Sequence, residues 1–429
     1  MSDQTSTQDP VLFEERQGQH GAVIGIATLN APHVLNGLSL QMVDLLAARL
    51  TAWAQDPAVA VVVLCAAGEK AFCAGGDLHG LYASATATPR GKPWANEGAR
   101  RFFENEYRLD YQIHHYPKPI LCWGHGIVMG GGMGLMMGAS HRVVTPASRM
   151  AMPEISIGLF PDVGGSWLLS RMPGKLGLFL GLTAAPVNAA DALNVGWADV
   201  MLAQTAFDTV LQALQDARWA LPDGQGTHAH RTEGQGTELE GTAARRIDMQ
   251  ATDAQDDGAP DQPVSRVAND ATLTRILKDY AEPTPEDGPL SRHAALINER
   301  CAGDDLQKIG EAVGALADHS DPWLARAAAT YLKGAPGSAR LAFEFGRRAR
   351  LMSLADVFRM EYVGVLAALA FGDVTEGIRA LLIDKDKNPK WQPATLAQAD
   401  EAWVSKFFEA PWPPSQSHPL ADLGAGAAP

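Results

Sequence analysis

The stretch AVAVVVLCAAGEKAFCAGGDL, residues 58 to 78, joins an apolar run to a glycine turn. Its first part, 58–68, is an unbroken run of β-branched and small apolar side chains, which is typical of a strand buried on both faces. Its second part, KAFCAGGDL (70–78), leads through a pair of glycines into a new segment. The segment ILCWGHGIVMGGGMGL (120–135) repeats this order of buried strand and glycine turn. Strands that alternate with helices predict an α/β layer architecture with crossover connections.

The rest of the chain divides by composition. Residues 11–220 carry the strand and helix pattern and form the predicted core. Residues 221–270 hold Gly, Gln, Asp, Thr and Pro with almost no large apolar side chain, so they predict a mobile insertion. Residues 271–410 have helical spacing, and the tail 411–429 is expected to be flexible. Within the core, further patterns predict a strand over 21–30 and helices over 38–56 and 97–116.

Charge and cysteine usage exclude several classes of protein. A formal net charge of −14 disfavours a nucleic-acid partner, because phosphate binding needs a basic face. The four cysteines form no C-x-x-C pair and lack metal-ligand spacing, as in a reducing cytosol. The first ten residues, MSDQTSTQDP, lack the pattern of a secretory or transit signal, so we expect a cytoplasmic protein. The apolar stretch 120–139 carries seven glycines and a histidine, which favours a buried turn, and we expect no membrane partner.

The two glycine turns, 70–78 and 124–135, predict an anion-binding cleft. Glycine permits positive φ and lets a ligand approach the backbone closely. If each turn directs one N–H into the same cleft, the pair would stabilise an oxygen that gains negative charge, by about 3–4 kcal/mol per donor. Close packing of the backbone explains the glycines equally well. The turns match neither a dinucleotide fingerprint, nor a P-loop, nor a G-x-S-x-G nucleophile elbow.

Two acids, Glu154 and Asp162, lie in the otherwise apolar and glycine-rich stretch MAMPEISIGLFPDVGGSW (150–167). Buried carboxylates are costly unless something uses them. Glu154 has apolar neighbours that would raise its pKa, which suits a group that moves protons. Alternatively, Glu154 caps a helix and Asp162 stabilises a turn.

These motifs together resemble the crotonase (enoyl-CoA hydratase/isomerase) superfamily. The resemblance rests on KAFCAGGDL, the GGG turn and MPE-x₃-GLFPDVGG, and it extends to APHVLNGLS (31–39) and GKLGLFLGLT (174–183). A later run, MEYVGVLAALAFGDVTEGIRALLIDKDKNPKWQP (360–393), resembles the C-terminal part of one branch, the 3-hydroxyisobutyryl-CoA hydrolases. The resemblance covers about 11–220 and 270–410. It implies a crotonase-type ββα spiral core with an appended α-helical C-terminal region.

The resemblance also implies a role for individual residues. The backbone N–H groups of Ala74 and Gly131 would form an oxyanion hole for the thioester carbonyl. Glu154 and Asp162 would flank the reacting carbon as the catalytic acids. Glu106 would contact the substrate, although a solvated helix acid is the alternative for it. Further substrate-binding residues would be Gly75, Gly76 and Asp77, of which Asp77 is better explained as a turn or cap residue than as a catalyst.

One departure from the superfamily separates hydrolysis from hydration. Hydratases of this superfamily carry a second catalytic glutamate three residues after the middle glycine of the GGG turn, and Gly134 occupies that position here. Asp162 replaces the glycine usual in its loop, as in the hydrolase branch. The resemblance therefore implies hydrolysis of a short-chain acyl-CoA thioester, with 3-hydroxyisobutyryl-CoA as the expected substrate, as in valine breakdown.

Further expectations follow from this resemblance. CoA is part of the substrate, and no metal or other cofactor is implied. The superfamily often forms trimers or pairs of trimers, which makes a homo-oligomer an open possibility. The alternatives are an enoyl-CoA hydratase or isomerase, and a crotonase-fold protein that binds acyl-CoA without turnover. Glu154 would act either as a general base on water or as a nucleophile that forms a mixed anhydride.

Overall fold

The computed structural model describes residues 9–221, 264–283 and 285–425. The strands within these ranges are β1 (Val11–Gln17), β2 (Val23–Leu29), β3 (Val59–Ala66), β4 (Ala71–Cys73), β5 (Ile120–Gly124), β6 (Ile127–Met129), β7 (His141–Val144), β8 (Arg149–Ala151), β9 (Val187–Asn188) and β10 (Val200–Met201). The α-helices are α1 (Leu40–Gln55), α2 (Leu78–Ala87), α3 (Glu97–His114), α4 (Gly131–Met137), α5 (Gly165–Ser170), α6 (Leu176–Thr183), α7 (Ala189–Asn194), α8 (Phe207–Asp216), α9 (Val264–Asp279), α10 (Pro289–Arg292), α11 (Ala294–Arg300), α12 (Leu306–Gly314), α13 (Pro322–Lys333), α14 (Pro336–Ala349), α15 (Leu354–Phe371), α16 (Val374–Ile378) and α17 (Glu401–Ser405).

The core repeats a unit of two strands followed by a helical turn. The first strand of each unit joins a six-stranded sheet of order β1-β2-β3-β5-β7-β10, and the second joins a four-stranded sheet of order β4-β6-β8-β9. Thus β3 is followed by β4 and α2, and β5 by β6 and α4. The third unit is β7, β8 and a short 3₁₀ helix, Glu154–Ile157. The inner pairs are parallel, whereas β1 on β2 and β9 on β8 are antiparallel.

Strand β3 is buried on both faces, as its sequence predicts. Its side chains alternate between two separate apolar clusters, with Val62 and Leu64 in one and Val61 and Val63 in the other. The second cluster is completed by α8 and α9, which contribute Leu211, Leu214, Leu273 and Ile276. Both sheet faces therefore exclude water, which explains the unbroken apolar run at 58–68.

The C-terminal helices pack directly on the core. Helix α15 contacts α3 and α5, and α14 contacts α5 and α6. Arg171 donates to the carbonyl of Met352, and Trp323 donates to that of Pro186. The helices thereby cover the region around the acids of residues 150–167.

The C-terminal region extends past residue 410. Residues 411–425 pack on the core, where Leu420 and Leu423 are buried and Arg108 pairs with Asp422. Flexibility of the tail 411–429 stays a prediction. Residues 384–400, within the predicted helical C-terminal region 271–410, contain no helix. Two prolines, Pro389 and Pro393, interrupt that part. Most of the predicted insertion at 221–270 lies outside the described residues.

Candidate active site

The site forms where three strands of the smaller sheet end. Strands β4, β6 and β8 are parallel neighbours, so their carboxyl ends meet at one edge. The chain leaves β4 through Ala74 to Asp77, leaves β6 through Gly130, and leaves β8 through Pro153 into Glu154. The edge beyond the carboxyl ends of parallel strands is the usual ligand site in open α/β sheets. The fold therefore brings together the two glycine turns and the acid stretch.

Two backbone N–H groups are available at this edge. The Gly76 amide faces away from Leu38, because the flanking Gly75 carbonyl and Asp77 amide both bond to Leu38. The Gly131 amide lies in the first turn of α4, where N–H groups lack helical acceptors. Within the described ranges neither amide donates to a backbone acceptor. A methyl group on Gly131 would lie 3.6 Å from the Gly76 nitrogen, so the two turns are adjacent.

The Ala74 amide is engaged elsewhere in the protein. It donates to the carbonyl of Leu35 at 3.1 Å. The structure therefore contradicts Ala74 as an oxyanion donor, since its N–H already has an acceptor within the protein. Gly75 has a φ of 117°, which reverses the chain between Ala74 and Gly76. The amide of this turn that has no backbone acceptor in the described ranges is that of Gly76, two residues after Ala74.

Glu154 is a buried carboxyl with an unpaired oxygen. It is the first residue of the 3₁₀ helix that follows β8, and only 4% of its surface is exposed. Its Oε2 has no hydrogen-bond partner within the described residues. Its Oε1 would lie 3.3 Å from a methyl group on Gly130, which places the carboxyl beside the GGG turn. Burial, together with the charge of Asp162, raises the pKa of Glu154 well above its usual range.

Asp162 is held by a tyrosine that no sequence motif indicates. The Tyr107 hydroxyl group donates to Asp162 Oδ2 at 2.7 Å, and both residues are buried. Burial raises the pKa of Asp162 to about 6, while the Tyr107 hydrogen bond opposes that rise. At pH 7.5 Asp162 is therefore largely ionised and accepts hydrogen bonds.

Helix α3 contributes two acids that face α4. Glu106 and Asp110, four residues apart, lie on one face of the helix and are both buried. A methyl group on Gly131 would lie 2.6 Å from Glu106 Oε1, and one on Gly134 would lie 2.6 Å from Asp110 Oδ2. Burial raises the pKa of Glu106 and of Asp110 well above their usual ranges, and the nearby charge of Asp162 adds to both shifts.

Asp110 explains the glycine at position 134. Both of its carboxyl oxygens are buried and have no partner within the described residues. A side chain at Gly134 would meet this carboxyl and also Val163, whose Cβ would be 2.9 Å away. The space in which hydratases of the superfamily place a second glutamate is therefore occupied. In the sequence, only the position of Asp110 four residues after Glu106 indicates that the two acids lie on the same face of the helix.

Asp77 has a structural role. Its Oδ1 accepts hydrogen bonds from the amides of His79 at 3.1 Å and Gly80 at 3.0 Å, so it is the N-cap of α2. The capping alternative therefore describes Asp77 Oδ1, and substrate binding by Asp77 stays a prediction. In the described ranges no three His, Cys, Asp or Glu side chains are arranged to hold a metal ion, and no helix there is long and apolar enough to cross a membrane.

Comparison with known proteins identifies the family to which this chain belongs. A family model described as enoyl-CoA hydratase/isomerase matches residues 24–254 and 236–408. The chain belongs to the enoyl-CoA hydratase/isomerase family. Curated relatives include a mitochondrial 3-hydroxyisobutyryl-CoA hydrolase from Danio rerio, 34% identical over 93% of this chain and 89% of the relative. Another is 3-hydroxyisobutyryl-CoA hydrolase 1 from Arabidopsis thaliana, 30% identical over 95% of this chain and 94% of the relative.

Solved structures of the family share the fold. A carnitinyl-CoA dehydratase from Mycobacterium thermoresistibile has a TM-score of 0.73 and 36% identity, covering 94% of this chain and 97% of its own. An enoyl-CoA hydratase from Rhodobacter sphaeroides has a TM-score of 0.70 and 30% identity, covering 93% and 97%. The predicted crotonase-type core with a helical C-terminal region is confirmed.

The comparisons also correct one prediction. The relatives from Danio rerio, Gallus gallus and Homo sapiens are named mitochondrial enzymes. The prediction of a cytoplasmic location is therefore wrong. It rested on the residue types of the first ten residues, a segment whose structure lies mostly outside the described ranges.

Proposed function

We propose that this enzyme hydrolyses the thioester bond of a short-chain acyl-CoA, with 3-hydroxyisobutyryl-CoA as the substrate, which is a step of valine breakdown. The observation that carries the proposal is the similarity to 3-hydroxyisobutyryl-CoA hydrolases at 30–34% identity over about nine-tenths of the chain. The site supports it independently. Two buried acids lie beside two amides that have no backbone acceptor. Acyl transfer to water requires a general base and hydrogen-bond donors to the oxyanion, and these groups can supply both.

In the proposed reaction the thioester oxygen accepts hydrogen bonds from the Gly76 and Gly131 amides. Glu154 removes a proton from a water molecule, and the water oxygen bonds to the carbonyl carbon. The oxyanion that forms is stabilised by the same two amides. When it collapses, the carbon–sulfur bond breaks and the CoA thiolate takes up the proton from Glu154. The products are the free acid and CoA, and Glu154 is again ionised.

The environment of Glu154 suits this role. A base is most effective when its pKa lies near the working pH, and burial raises the pKa of Glu154 toward that range. Attack by Glu154 on the carbonyl carbon, which would form a mixed anhydride, uses the same carboxyl and the same amides. In both routes Glu154 must be ionised at the start of the step in which the bond to carbon forms.

Asp162 is proposed to recognise the 3-hydroxyl group or the attacking water. As a carboxylate it accepts the hydrogen bond from Tyr107 on Oδ2 and has the capacity to accept further hydrogen bonds. Glu106, whose carboxyl lies beside Gly131, is proposed to contact the acyl group next to the amide pair. CoA enters as part of the substrate, and no other cofactor is part of the proposal.

The second candidate is hydration or dehydration of an acyl-CoA, because the two solved structures described above carry those names. Adding water across a double bond needs a group that delivers a proton to carbon, and Gly134 supplies none. A substrate panel separates the candidates. Thiol release is followed with 3-hydroxyisobutyryl-CoA and isobutyryl-CoA, and loss of the conjugated double bond with methacrylyl-CoA.

The hydrolase proposal expects thiol release from the 3-hydroxy ester at a higher kcat/KM than from isobutyryl-CoA. It expects no consumption of methacrylyl-CoA by hydration. Hydration without thiol release would favour the second candidate. Tight binding of all three esters without turnover would favour the non-catalytic alternative.

A further inference from the structure

The loop that carries Asp162 has an unusual backbone. Val163 has a φ of 52° and Gly164 a φ of 79°, so two successive residues are left-handed. A β-branched residue with positive φ is rare, because its side chain crowds the carbonyl oxygen. Such a conformation persists only where surrounding groups hold it. The residues that hold this loop therefore decide where Asp162 lies.

Glu361 is the principal group that holds the loop. It lies on α15, is completely buried, and accepts hydrogen bonds from the amides of Gly164 at 2.8 Å and Ser166 at 2.9 Å. Gly164 and Ser166 belong to the N-terminus of α5, whose N-cap residue Gly164 has no side chain to accept these bonds. The carboxyl group of a distant helix thus replaces a local cap.

The same helix supports Asp162 from a second side. Phe358, one turn before Glu361, packs against the ring of Tyr107 with 5.4 Å between ring centroids. Tyr107 in turn donates to Asp162. A methyl group on Gly164 would lie 3.4 Å from Phe358, so the loop also packs on this ring. Helix α15 therefore contacts both the loop backbone and the hydrogen-bond donor of Asp162.

We propose that Glu361 is a positioning residue for Asp162, supplied by the C-terminal helical region. It acts through the amides of Gly164 and Ser166 and does not touch the substrate. This role gives a physical reason for Glu361 in MEYVG (360–364), because it is the one completely buried acid of α15, whereas Asp356 in the first turn is exposed and pairs with Arg359. The catalytic consequence rests on the proposed function, whereas the effect on the loop does not.

The test compares Glu361→Met and Glu361→Gln with the wild type. Methionine has a similar length but accepts no hydrogen bond, while glutamine retains one oxygen acceptor. Removal of the carboxyl group leaves two buried amides without an acceptor, at about 1–3 kcal/mol each, so chemical unfolding first establishes that both variants are folded under the assay conditions. Since misplacement by about 1 Å can cost 10²-fold, we expect kcat to fall by about that factor in E361M and by less in E361Q. The Kd for a non-hydrolysable CoA thioether should change far less than kcat.

A matched control is available on the neighbouring helix. Glu344 of α14 is also buried, but it pairs with Arg340 and Arg347 instead of the loop. E344Q changes the same kind of side chain and should leave kcat near that of the wild type. An equal loss of kcat in E344Q and E361Q would show a general effect of disturbing the helical region and would contradict the proposal.

A double variant tests whether Glu361 acts through Asp162. In a D162N background, E361M should cause little further loss of kcat, because residues that act as a unit are not additive. If E361M lowers kcat by the same factor in the wild-type and D162N backgrounds, Glu361 does not act through residue 162.

Amide hydrogen exchange gives a result that is independent of catalysis. Peptides that cover residues 162–167 should exchange faster in E361M than in the wild type, while peptides from β3 should not change. Unchanged exchange at 162–167 overturns the positioning role. If E361M shows faster exchange there but the wild type releases no thiol, the positioning role is retained and the proposed function is rejected.

Discussion

The Tyr107 hydroxyl group donates to Asp162 across 55 positions of sequence, at 2.7 Å. Tyr107 directly follows Glu106 on α3, so one helical segment supplies a site carboxyl and the donor that holds another. A hydrogen bond to an ionised carboxyl favours the ionised form. The relationship therefore determines both the orientation and the charge of Asp162.

Tyr107→Phe should move the acidic limb of the pH–rate profile to higher pH. The pKa of Asp162 is about 6 with the hydrogen bond in place, and the bond lowers it. Its removal raises that pKa, so a higher pH is needed to ionise Asp162. A hydrogen bond to a charged group is worth about 1.5–3 kcal/mol, which corresponds to a displacement of about one pH unit or more. The profile of kcat/KM measures it, and an unmoved acidic limb would exclude an ionised Asp162 from the reaction.

Asp110→Asn should make stability less dependent on pH. Burial raises the pKa of Asp110 in the folded state, so between the ordinary pKa and the raised one the folded protein holds a proton that the unfolded chain has released. The wild type consequently loses about 1.4 kcal/mol of unfolding free energy per pH unit from this group as the pH rises. Urea unfolding from pH 5 to pH 8 should give a shallower decline for D110N. The matched control is Asp279→Asn, at an exposed position of α9, and equal slopes for D110N and the wild type would contradict the assignment.

Gly134→Ala should destabilise the fold, although alanine is the better helix former. The added methyl group would meet Asp110 Oδ2 and the Cβ of Val163. Overpacking of this kind costs about 1–3 kcal/mol. Gly346→Ala is the control, because nothing lies within 4 Å of a methyl group at that helical position and stability should rise slightly. Chemical unfolding of both variants, and of G134A with D110A, shows whether the cost depends on Asp110. A G134A variant as stable as G346A would mean that the space at position 134 is open.

Leu420→Ala should lower the free energy of unfolding by about 2–5 kcal/mol, because this side chain of the C-terminal segment is fully buried. Asp422→Ala removes a partly exposed ion pair with Arg108 and should cost about 1 kcal/mol or less. Denaturant titration distinguishes the two. Equal and small losses of unfolding free energy in both variants would indicate that the tail is flexible, as the composition predicts.

Regular elements with a strong pattern were predictable from the sequence. The helix expected over 97–116 is observed as Glu97–His114, and the strand near 120–124 as Ile120–Gly124. Strand β1 was missed, because its sequence VLFEERQ is rich in charged residues and only one side faces the core. The packing of residues 411–425 could not be predicted for a similar reason, since two leucines among small and polar residues give no periodic signal.

The site residues differ in how far sequence could identify them. Glu154, Asp162 and Glu106 follow from the family resemblance, and the fold brings their segments to one edge. The choice of Ala74 failed because a glycine turn predicts free amides without indicating which amide points outward. That direction depends on the pairing with Leu35 and Leu38, which is a tertiary contact.

Tyr107 and Glu361 lie outside the motifs that carry chemistry in the sequence. Tyr107 appears as one more aromatic residue on an amphipathic helix. Glu361 gave a signal that is visible in retrospect, because an acid in the middle of an apolar helix must have a partner. Its partners are backbone amides about 195 residues away, a distance that no local pattern reveals.

The most direct test of the account is thiol release from 3-hydroxyisobutyryl-CoA by the wild type and by Glu154→Gln, with the Kd of a non-hydrolysable thioether analogue measured for both. Glutamine keeps the shape of the side chain but cannot accept a proton at neutral pH. We expect kcat to fall by about 10²–10⁴-fold while the Kd stays within a few-fold of the wild-type value. Thiol release by E154Q at the wild-type rate would contradict the central claim that Glu154 carries the hydrolysis.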